Sequence, residues 1–385
     1  MTNAVAAAIY PKILQLIILP TEKCNFRCTY CYETFEIGKM KRETIDGIKN
    51  LISARANSGT LESLALSWFG GEPLLAKSVV EEISEHAYSL HQQGLIKHLN
   101  GDFTTNAYML TVDVLQKMAD LNQRAYQVSL DGYGDAHDKT RKYASGAGTF
   151  DTIWKNLLAA QKSDIEFRIT LRLHLTNDNL ESMEVLVDKI ADVFGGDNRF
   201  DVFFKTIENL GGPNAAEIKK VDSNFAAQIV EKLSAKLMEA GLSTTAVLDG
   251  PESASGLTVS AGTTLNEAEE RVRQDLPNEQ PQEKSRFHFE GYICYASKPN
   301  SLVIRADGSV AKCTVLFEDP RNRVGYLNSD GTVRLNAELI NDVWMRGFNS
   351  MDPAELGCPA QNLGPLPEVD SKTSVIKFDD LKQQR

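Results

Sequence analysis

Six short runs of apolar and β-branched residues alternate with amphipathic stretches, and this alternation limits the possible folds more than any other feature. The strand-like runs are ILQLIIL, SLALSWF, HLNGDFTT, RAYQVSL, EFRITLRLHL and FDVFFKTI. Apolar residues recur at helical spacing near residues 41–56, 77–95, 111–121, 149–163 and 178–194. Strict alternation predicts an α/β fold with parallel strands and right-handed crossovers. A doubly wound sheet fits this pattern, and so does a barrel or a partial barrel.

The composition of the chain changes beyond residue 210. Residues 250–286 are rich in Gly, Pro, Ser, Glu and Gln, which is typical of a linker or an insertion. A compact region follows, and its Asp307-Gly308 and Asp330-Gly331 pairs are hairpin signals. We therefore predict three segments, namely a main domain over 1–215, a helix with a flexible linker over 216–290, and a small α+β domain over 291–385.

Charge and hydropathy exclude several classes of protein. The formal net charge of −11 argues against a nucleic-acid backbone as the main partner. No apolar run approaches the roughly 18 residues that a membrane-spanning helix needs. The apolar N-terminal run lacks the basic flank of a signal peptide and leads directly into the cysteines. We therefore expect a cytoplasmic protein that binds neither nucleic acid nor membrane.

The six cysteines fall into two triplets, Cys24, Cys28 and Cys31, and Cys294, Cys313 and Cys358. Without an export signal, metal binding or catalysis is favoured over disulfides. The first triplet has too few ligands for structural zinc and lacks the fourth cysteine of a ferredoxin cluster. Buried structural cysteines remain an alternative. A cubane iron–sulfur cluster with three protein ligands satisfies the count and leaves one iron free to bind a small molecule.

The first triplet, with Tyr30 before its last cysteine, resembles the cluster motif of radical S-adenosylmethionine (radical SAM) enzymes. The resemblance implies a partial (β/α)6 TIM-like barrel and a [4Fe–4S] cluster whose unique iron binds the amino and carboxylate groups of SAM. It further implies that an electron from the cluster cleaves SAM to methionine and a 5′-deoxyadenosyl radical, which abstracts a substrate hydrogen. In such a site the cofactor carries the hard chemistry, while the protein positions it and excludes water.

Three further motifs resemble the family at the ends of successive predicted strands. WFGGEP resembles its GGEP element, TTNAY resembles TTNG with Ala107 in place of Gly, and SLDGYGDAHDKTR resembles SLDG…HD…R. The resemblance implies SAM-binding roles for Tyr30, Gly70, Gly71, Glu72, Asn106, Ser129, Asp131, Arg141 and Arg172. A tight turn is the alternative for GGEP, and a solvated strand end is the alternative for Arg172. For His137 we predict a turn-stabilising hydrogen bond rather than catalysis.

The late cysteines resemble the C…G-x4-C pattern of SPASM and Twitch domains, with Gly308 five residues before Cys313. This resemblance implies a small Twitch-like domain with an auxiliary [4Fe–4S] cluster, the second in the chain. Where a C-x2-C pair would complete the cluster, the chain offers Cys358 and Gln361. Gln361, another side chain or water then binds the fourth iron, or that iron is open to substrate. A domain that has lost its cluster is the alternative.

The resemblance is strongest to maturases of ribosomally made peptides, which implies crosslinking of side chains in a precursor peptide. The alternatives are oxidation of a protein residue as in sulfatase maturases, and dehydrogenation of a small molecule. A non-catalytic iron–sulfur protein is a further alternative, although it would have no use for the GGEP and SLDG elements. Only about 23 residues precede Cys24, so we expect the barrel rim, residues 250–286 or a separate protein to bind a leader peptide. A flavodoxin or a ferredoxin is the expected reductant.

Overall fold

One curved sheet runs through most of the structure. The computed structural model describes residues 3–212, 215–219, 221–248 and 292–364. The strands are β1 Ile13–Ile18, β2 Phe26–Cys28, β3 Ser63–Trp68, β4 His98–Thr105, β5 Gln123–Leu130, β6 Arg141–Tyr143, β7 Arg168–Leu175, β8 Phe200–Thr206, β9 Ser243–Val247, β10 Ser301–Ile304, β11 Ser309–Ala311, β12 Arg323–Leu327 and β13 Val333–Leu335. Within the described residues, eleven strands join in the order β13-β12-β11-β10-β1-β3-β4-β5-β7-β8-β9, while β2 and β6 form a separate pair.

Helices follow the strands of the first half in alternation, as the periodicity predicts. They are α1 Asn3–Ala8, α2 Arg42–Asn57, α3 Lys77–Gln92, α4 Val112–Asp120, α5 Asp135–Thr140, α6 Phe150–Gln161, α7 Leu180–Phe194 and α8 Ser223–Glu239. Two short helices, Gly347–Ser350 and Pro353–Gly357, lie near the end of the described chain. Strands β1, β3, β4, β5, β7 and β8 are all parallel, so the predicted α/β partial barrel is confirmed.

Strands β1, β3 and β8 are buried on both faces along their whole length, which explains their nearly continuous apolar runs in the sequence. Leu14, Leu16 and Ile18 of β1 belong to the main core, whereas Ile17 belongs to a second cluster with Val303 of β10. Polar side chains continue that second face as a hydrogen-bonded row. Ser301 Oγ donates to Gln15 Oε1 at 2.9 Å, Gln15 Nε2 donates to Ser67 Oγ at 3.2 Å, and Ser67 Oγ donates to Asp102 Oδ2 at 2.8 Å. The inner face is therefore a filled and hydrogen-bonded core.

Two features of the sheet go beyond the predicted six strands. Strand β9 pairs in parallel with β8, so the helix predicted near 222–241, observed as α8, leads into a seventh parallel strand. Strand β10 pairs in parallel with β1, and β11, β12 and β13 continue the sheet in antiparallel order. The late region therefore extends the barrel's own sheet. The predicted linker at 250–286 lies outside the described residues, and the segment boundaries remain a prediction.

No helix among the described residues is long and apolar enough to cross a membrane.

Candidate functional site

The first cysteine triplet lies in the segment after β1 and is fixed by backbone hydrogen bonds. Strand β2 ends at Cys28 and pairs antiparallel with β6, so that Cys28 is opposite Arg141 and Phe26 is opposite Tyr143. The Thr29 N–H donates to the Thr140 carbonyl at 2.9 Å. The cysteine loop, residues 24–31, is therefore attached to the segment that follows β5.

The three thiols of this loop are half-buried and close enough for their charges to interact. Burial raises the pKa of Cys24 and of Cys31 to about 12, and it also raises the pKa of Cys28, where the Arg141 charge opposes it. Burial thus favours the neutral form of these thiols, and binding of a metal centre would release their protons. Among residues that the structure describes, no group of three or more His, Cys, Asp or Glu side chains is arranged to hold a metal ion.

Two glycines bring the GGEP turn against the start of the cysteine loop. A Cβ on Gly70 would lie 2.4 Å from the Thr21 carbonyl oxygen, and a Cβ on Gly71 would lie 2.4 Å from the Lys23 carbonyl oxygen. Gly70 also has a φ of 107°, which side chains other than hydrogen rarely tolerate. The adjacent Glu72 N–H donates to the Lys23 carbonyl at 3.0 Å. Only glycine fits at both positions, so the GGEP element is more than an ordinary tight turn.

We expect the Gly71→Ala variant to be destabilised by about 1–3 kcal/mol, because the added methyl group meets backbone that cannot move freely. Gly38→Ala is the matched control, since a Cβ there has no neighbour within 4 Å. Chemical unfolding of the two apo-proteins measures the difference. Equal midpoints for both variants would show that the GGEP turn does not support the cysteine loop.

The Glu72 carboxylate is fully buried and accepts three internal hydrogen bonds. The donors are the Leu74 N–H at 3.0 Å, the Thr105 hydroxyl at 2.8 Å and the Asn106 N–H at 2.8 Å. Burial raises the pKa of Glu72, and these hydrogen bonds oppose the rise. Glu72 thus ties the GGEP turn to the end of β4, and its implied role in SAM binding remains a prediction.

Asn106 reaches from the end of β4 to the cysteine loop. Its Nδ2 donates to Asn25 Oδ1 at 2.8 Å and lies 3.9 Å from Cys24 Sγ. The next residue, Ala107, is fully buried and has a φ of 58°. A left-handed conformation costs an alanine about 1–2 kcal/mol, which explains why the related motif has glycine at this position.

Ser129 and Arg172 lie side by side on neighbouring strands. They are paired in the β5–β7 register, and both side chains are half-buried. The Arg172 guanidinium lies 5.8 Å from the ring centroid of Phe203, its partner on β8. The two residues therefore share a face of the sheet, as SAM-binding roles for both would require.

Tyr30 is the centre of a buried hydrogen-bond network that the sequence did not reveal as a unit. Arg141 Nη1 donates to the Tyr30 hydroxyl at 2.6 Å, and this hydroxyl donates to Asp131 Oδ1 at 3.0 Å. His174 Nδ1 lies 3.0 Å from the same carboxylate oxygen. Sequence analysis missed His174. Its two-residue spacing from Arg172 on β7 places both side chains on one face of the sheet, and this spacing is the signal that could have revealed it.

The electrostatics of this network favour a charged Asp131 and a neutral His174. Burial lowers the pKa of His174 to about 4. Burial alone would raise the pKa of Asp131, but the hydrogen bond from His174 and the charge of Arg141 hold it well below its ordinary value. Arg141 is 7% exposed, and its Nε has no hydrogen-bond partner.

His137 has the role that the sequence predicts for it. Its ring is fully buried, and its Nδ1 accepts a hydrogen bond from the Asp131 N–H at 3.3 Å. The turn after β5 is therefore stabilised as predicted.

Glu33, two residues after Cys31, is a second residue that no motif revealed. Its side chain is 7% exposed, and its Oε1 has no hydrogen-bond partner. Burial, followed by the charge of Glu22, raises the pKa of Glu33 to about 8, and Arg305 opposes the rise. Arg305 itself makes a two-pronged ion pair with Glu22, with N–O distances of 3.1 Å and 2.6 Å.

The late cysteines also come together, although they are far apart in the sequence. Burial raises the pKa of Cys294 to about 12, and the charges of Cys313 and Cys358 add to this rise. Burial also raises the pKa of Cys313, and the charge of Cys358 adds to that rise. The Cys294 N–H donates to the Leu356 carbonyl at 2.8 Å, close to Cys358 in sequence. Asn322 Oδ1 accepts from the Cys313 N–H at 2.9 Å. These bonds fix the backbone around the second triplet.

A buried lysine lies directly beside this second triplet. Lys312 is 1% exposed, and its Nζ donates to the carbonyls of Lys298 and Ser301 at 2.6 and 2.7 Å. Burial lowers its pKa to about 7, and the Cys294 charge opposes that shift. A cation at this place suits an anionic group held by the late cysteines.

Gln361 lies in the turn Pro359–Asn362 that follows Cys358. Its backbone N–H donates to the Cys358 carbonyl at 3.2 Å, and its side chain is exposed. The residue is therefore near the second triplet, and its role as a ligand remains a prediction.

One tyrosine, Tyr32, lies near a cysteine of each triplet. Burial and the charge of Glu33, and then the charges of Cys31 and Cys313, raise the pKa of this half-buried tyrosine. A Cβ on Gly212 would lie 2.7 Å from the Tyr32 Cα, so close packing holds this part of the chain. Tyr32 therefore lies where the charges of Cys31 and Cys313, one cysteine of each triplet, both act.

Comparison with known proteins agrees with this geometry. Residues 18–190 match the model of the Radical SAM superfamily, so the predicted resemblance is confirmed. A cysteine-type anaerobic sulfatase-maturating enzyme of Clostridium novyi is 27% identical over 214 residues, which are 52% of this chain and 54% of that enzyme. The chain spans about half the length of the curated relatives that it matches.

Two solved structures share the fold at low sequence identity. The structure of anSMEcpe with bound AdoMet has a TM-score of 0.56 and 17% identity, over 86% of this chain and 80% of that chain. The structure of Streptococcus suis SuiB bound to the precursor peptide SuiA has a TM-score of 0.58 and 16% identity, over 90% and 69% of the chains. The similarity extends beyond the residues of the family match and includes the late region.

Proposed function

Because residues 18–190 of this chain form a radical SAM domain, we propose that the protein is an enzyme that removes hydrogen from a peptide side chain and forms a crosslink. The proposed substrate is a ribosomally made precursor peptide. The observation that carries the proposal is that Tyr32, next to Cys31 of the first triplet, also lies within reach of the charge of Cys313 of the second triplet. A maturase that couples hydrogen abstraction to electron removal needs two such centres close to its substrate.

The radical SAM family implies SAM and a [4Fe–4S] cluster, and the residues of the first triplet fit this group. Cys24, Cys28 and Cys31 supply three thiols in one fixed loop. Arg141 is buried near this loop, and its charge interacts with Cys28. Its Nε has no hydrogen-bond partner. When bound to such a cluster, SAM supplies a 5′-deoxyadenosyl radical by reductive cleavage. We assign the three cysteines as the cluster ligands.

The residues around the loop would bind and orient SAM. Gly70 and Gly71 hold the GGEP turn against the start of the cysteine loop, and the backbone carbonyls of this turn would accept hydrogen bonds from the SAM amino group. Arg172 and Ser129, side by side on the sheet, would hold its carboxylate and its ribose. Arginine suits the carboxylate because its planar fork donates two parallel hydrogen bonds.

The second triplet would provide the electron acceptor that the proposed reaction needs. Transfer of one hydrogen atom from a substrate carbon to the 5′-deoxyadenosyl radical leaves a substrate radical. Closure of that radical onto a second side chain forms one bond and releases one electron and one proton. The proton would pass to solvent. Cys294, Cys313 and Cys358 would hold an auxiliary [4Fe–4S] cluster, which would supply the acceptor for the electron. The buried Lys312 beside this triplet favours the gain of negative charge.

The proposed substrate position is the space beside Glu33. Its carboxyl group is buried with one unpartnered oxygen, and buried polar groups normally have a partner. A peptide N–H or side-chain donor would supply the missing bond. The structure of SuiB with its precursor peptide supports a peptide as the class of substrate. A flavodoxin or a ferredoxin would deliver electrons, and a separate protein is one candidate for leader binding.

The test is a single-turnover reaction of reduced, SAM-loaded enzyme with the peptide that a neighbouring small open reading frame encodes. We expect a product lighter by two hydrogen atoms, with no fragment ions between the two joined residues in tandem mass spectra. A reaction without SAM is the control. An unmodified peptide in the presence of 5′-deoxyadenosine formation would contradict peptide crosslinking.

Oxidation of a protein residue is the second candidate, favoured by the similarity to the sulfatase-maturating enzyme. Such a reaction leaves an aldehyde, whereas a crosslink does not. Derivatisation of the product with a hydrazine therefore distinguishes the two reactions.

A further inference from the structure

We propose that His174 is a positioning residue that holds the cysteine loop through Asp131 and Tyr30, and that Asp131 therefore supports the loop instead of binding SAM. This inference rests on the proposed cluster at Cys24, Cys28 and Cys31. It changes the role that the SLDG resemblance implies for Asp131 and assigns a role to His174, which no motif marks.

The carboxylate of Asp131 is fully used inside the protein. It is 0% exposed. Its Oδ1 accepts from the Tyr30 hydroxyl and from His174 Nδ1, both at 3.0 Å, and its Oδ2 accepts from the Thr140 hydroxyl at 2.6 Å. With three donors on a fully buried carboxylate, no surface of this side chain is left for a ligand such as a ribose hydroxyl.

Two of the three donors lead directly to the cysteine loop. Tyr30 lies between Cys28 and Cys31, and its hydroxyl also accepts from Arg141 at 2.6 Å. Thr140, the second donor, accepts the N–H of Thr29 at its backbone carbonyl at 2.9 Å. Both Thr29 and Tyr30 of the loop are therefore attached to the Asp131 carboxylate. Tyr30 is attached by its own hydroxyl, and Thr29 is attached through its backbone bond to Thr140.

His174 is the third donor, and its own position is fixed. Asn179 Nδ2 donates to the carbonyls of His174 and Asp131, at 2.7 and 2.9 Å. The ring of His174 contacts the Tyr30 ring edge-on, with centroids 5.3 Å apart. His174 Nδ1 lies 3.0 Å from Asp131 Oδ1 and 3.1 Å from the Tyr30 hydroxyl. Since an ionised carboxylate can only accept, we assign the proton on Nδ1 to the bond with Asp131. The bond from His174 thus fixes the direction in which Asp131 presents its oxygens to Tyr30.

Side chains that orient metal ligands from behind typically change metal affinity or activity by about 10–100-fold when they are removed. The same reasoning applies to a side chain that orients the loop carrying the ligands. We therefore expect the His174→Leu variant to lose its cluster faster, even in the absence of SAM.

The experiment is carried out under anaerobic conditions and without SAM. It measures the release of iron to a ferrous chelator and the decay of the electron paramagnetic resonance signal of the first cluster. This signal is identified beforehand, in a separate sample, by its shift when SAM is added. We expect His174→Leu to lose this signal about 10-fold faster than wild type. His174→Asn should behave like wild type, because its amide nitrogen branches from Cγ as Nδ1 does. His86→Leu is the matched control, since His86 is a half-buried histidine bonded to Ser53 far from the loop.

Tyr30→Phe removes the hydroxyl through which the network acts and leaves no cavity. We expect it to lose the cluster as fast as His174→Leu, and we expect the double variant to be no faster than either single variant. If His174→Leu cannot be loaded because its apo-protein unfolds, Tyr30→Phe decides, and normal cluster retention in Tyr30→Phe overturns the inference.

Two other outcomes have distinct meanings. Normal cluster retention in His174→Leu, combined with weaker SAM binding, would show that Asp131 acts on SAM and would overturn this inference alone. A wild-type protein that takes up no such cluster would overturn the proposed function itself.

Discussion

The Cys28→Ala variant is expected to lose all reductive cleavage of SAM and about half of the iron of the reconstituted protein. Cys28 lies at the end of β2, opposite Arg141 on β6, so this thiol is the one held most directly by the backbone of the site. Two remaining thiols cannot hold the cubane in place of three. Iron analysis and chromatography of SAM products measure both effects.

Lys142→Ala is the matched control for this substitution. Lys142 is the neighbour of Arg141 on β6, and its side chain is exposed, so its removal leaves the site intact. We expect this variant to match wild type in iron content and SAM cleavage. Full SAM cleavage by Cys28→Ala would show that the first triplet is not required for this reaction.

The Cys313→Ala variant is expected to form no crosslinked product while it still cleaves SAM. Cys313 lies directly after the buried Lys312, and its backbone is fixed by Asn322, but neither contact supports the first cysteine loop. Hydrogen abstraction can therefore proceed, whereas the electron from ring closure has no acceptor. The measurement compares 5′-deoxyadenosine with crosslinked peptide in the same reaction.

Gln361→Cys refines this second prediction. A thiolate in place of a neutral ligand makes the auxiliary cluster more negative, which lowers its reduction potential within the broad range of protein clusters. We expect the cluster to be retained and turnover to be slower. Normal product formation by Cys313→Ala would show that the second triplet has only a structural role.

The sequence predicted those parts of the fold that depend on local pattern. Six strands (β1, β3, β4, β5, β7 and β8) and five helices (α2, α3, α4, α6 and α7) follow from apolar spacing, and the motifs at the strand ends meet because parallel strands present their carboxyl ends at one edge. The short strands β2 and β6 and the short helix α5 were not predicted. The sequence also did not predict that β10 pairs with β1. Periodicity shows which face of a strand is apolar, whereas pairing depends on residues far apart in the chain.

The sequence likewise predicted only part of the candidate site. The turn at His137 has the role predicted for it, whereas Gly70 and Gly71 pack against the start of the cysteine loop and their SAM-binding roles stay predictions. Glu72 turned out to satisfy three buried donors, and no motif marked His174 or Glu33. The hydrogen-bond partners of a buried polar side chain are set by tertiary packing, so a single sequence does not reveal them.

The central claim is that the chain uses SAM as a source of 5′-deoxyadenosyl radical. Its most direct test is product analysis of anaerobically reconstituted, dithionite-reduced wild-type protein incubated with SAM. The account predicts 5′-deoxyadenosine and methionine in equal amounts, together with iron and sulfide in the protein. Protein that contains zinc without iron, or that yields S-adenosylhomocysteine and no 5′-deoxyadenosine, would contradict it.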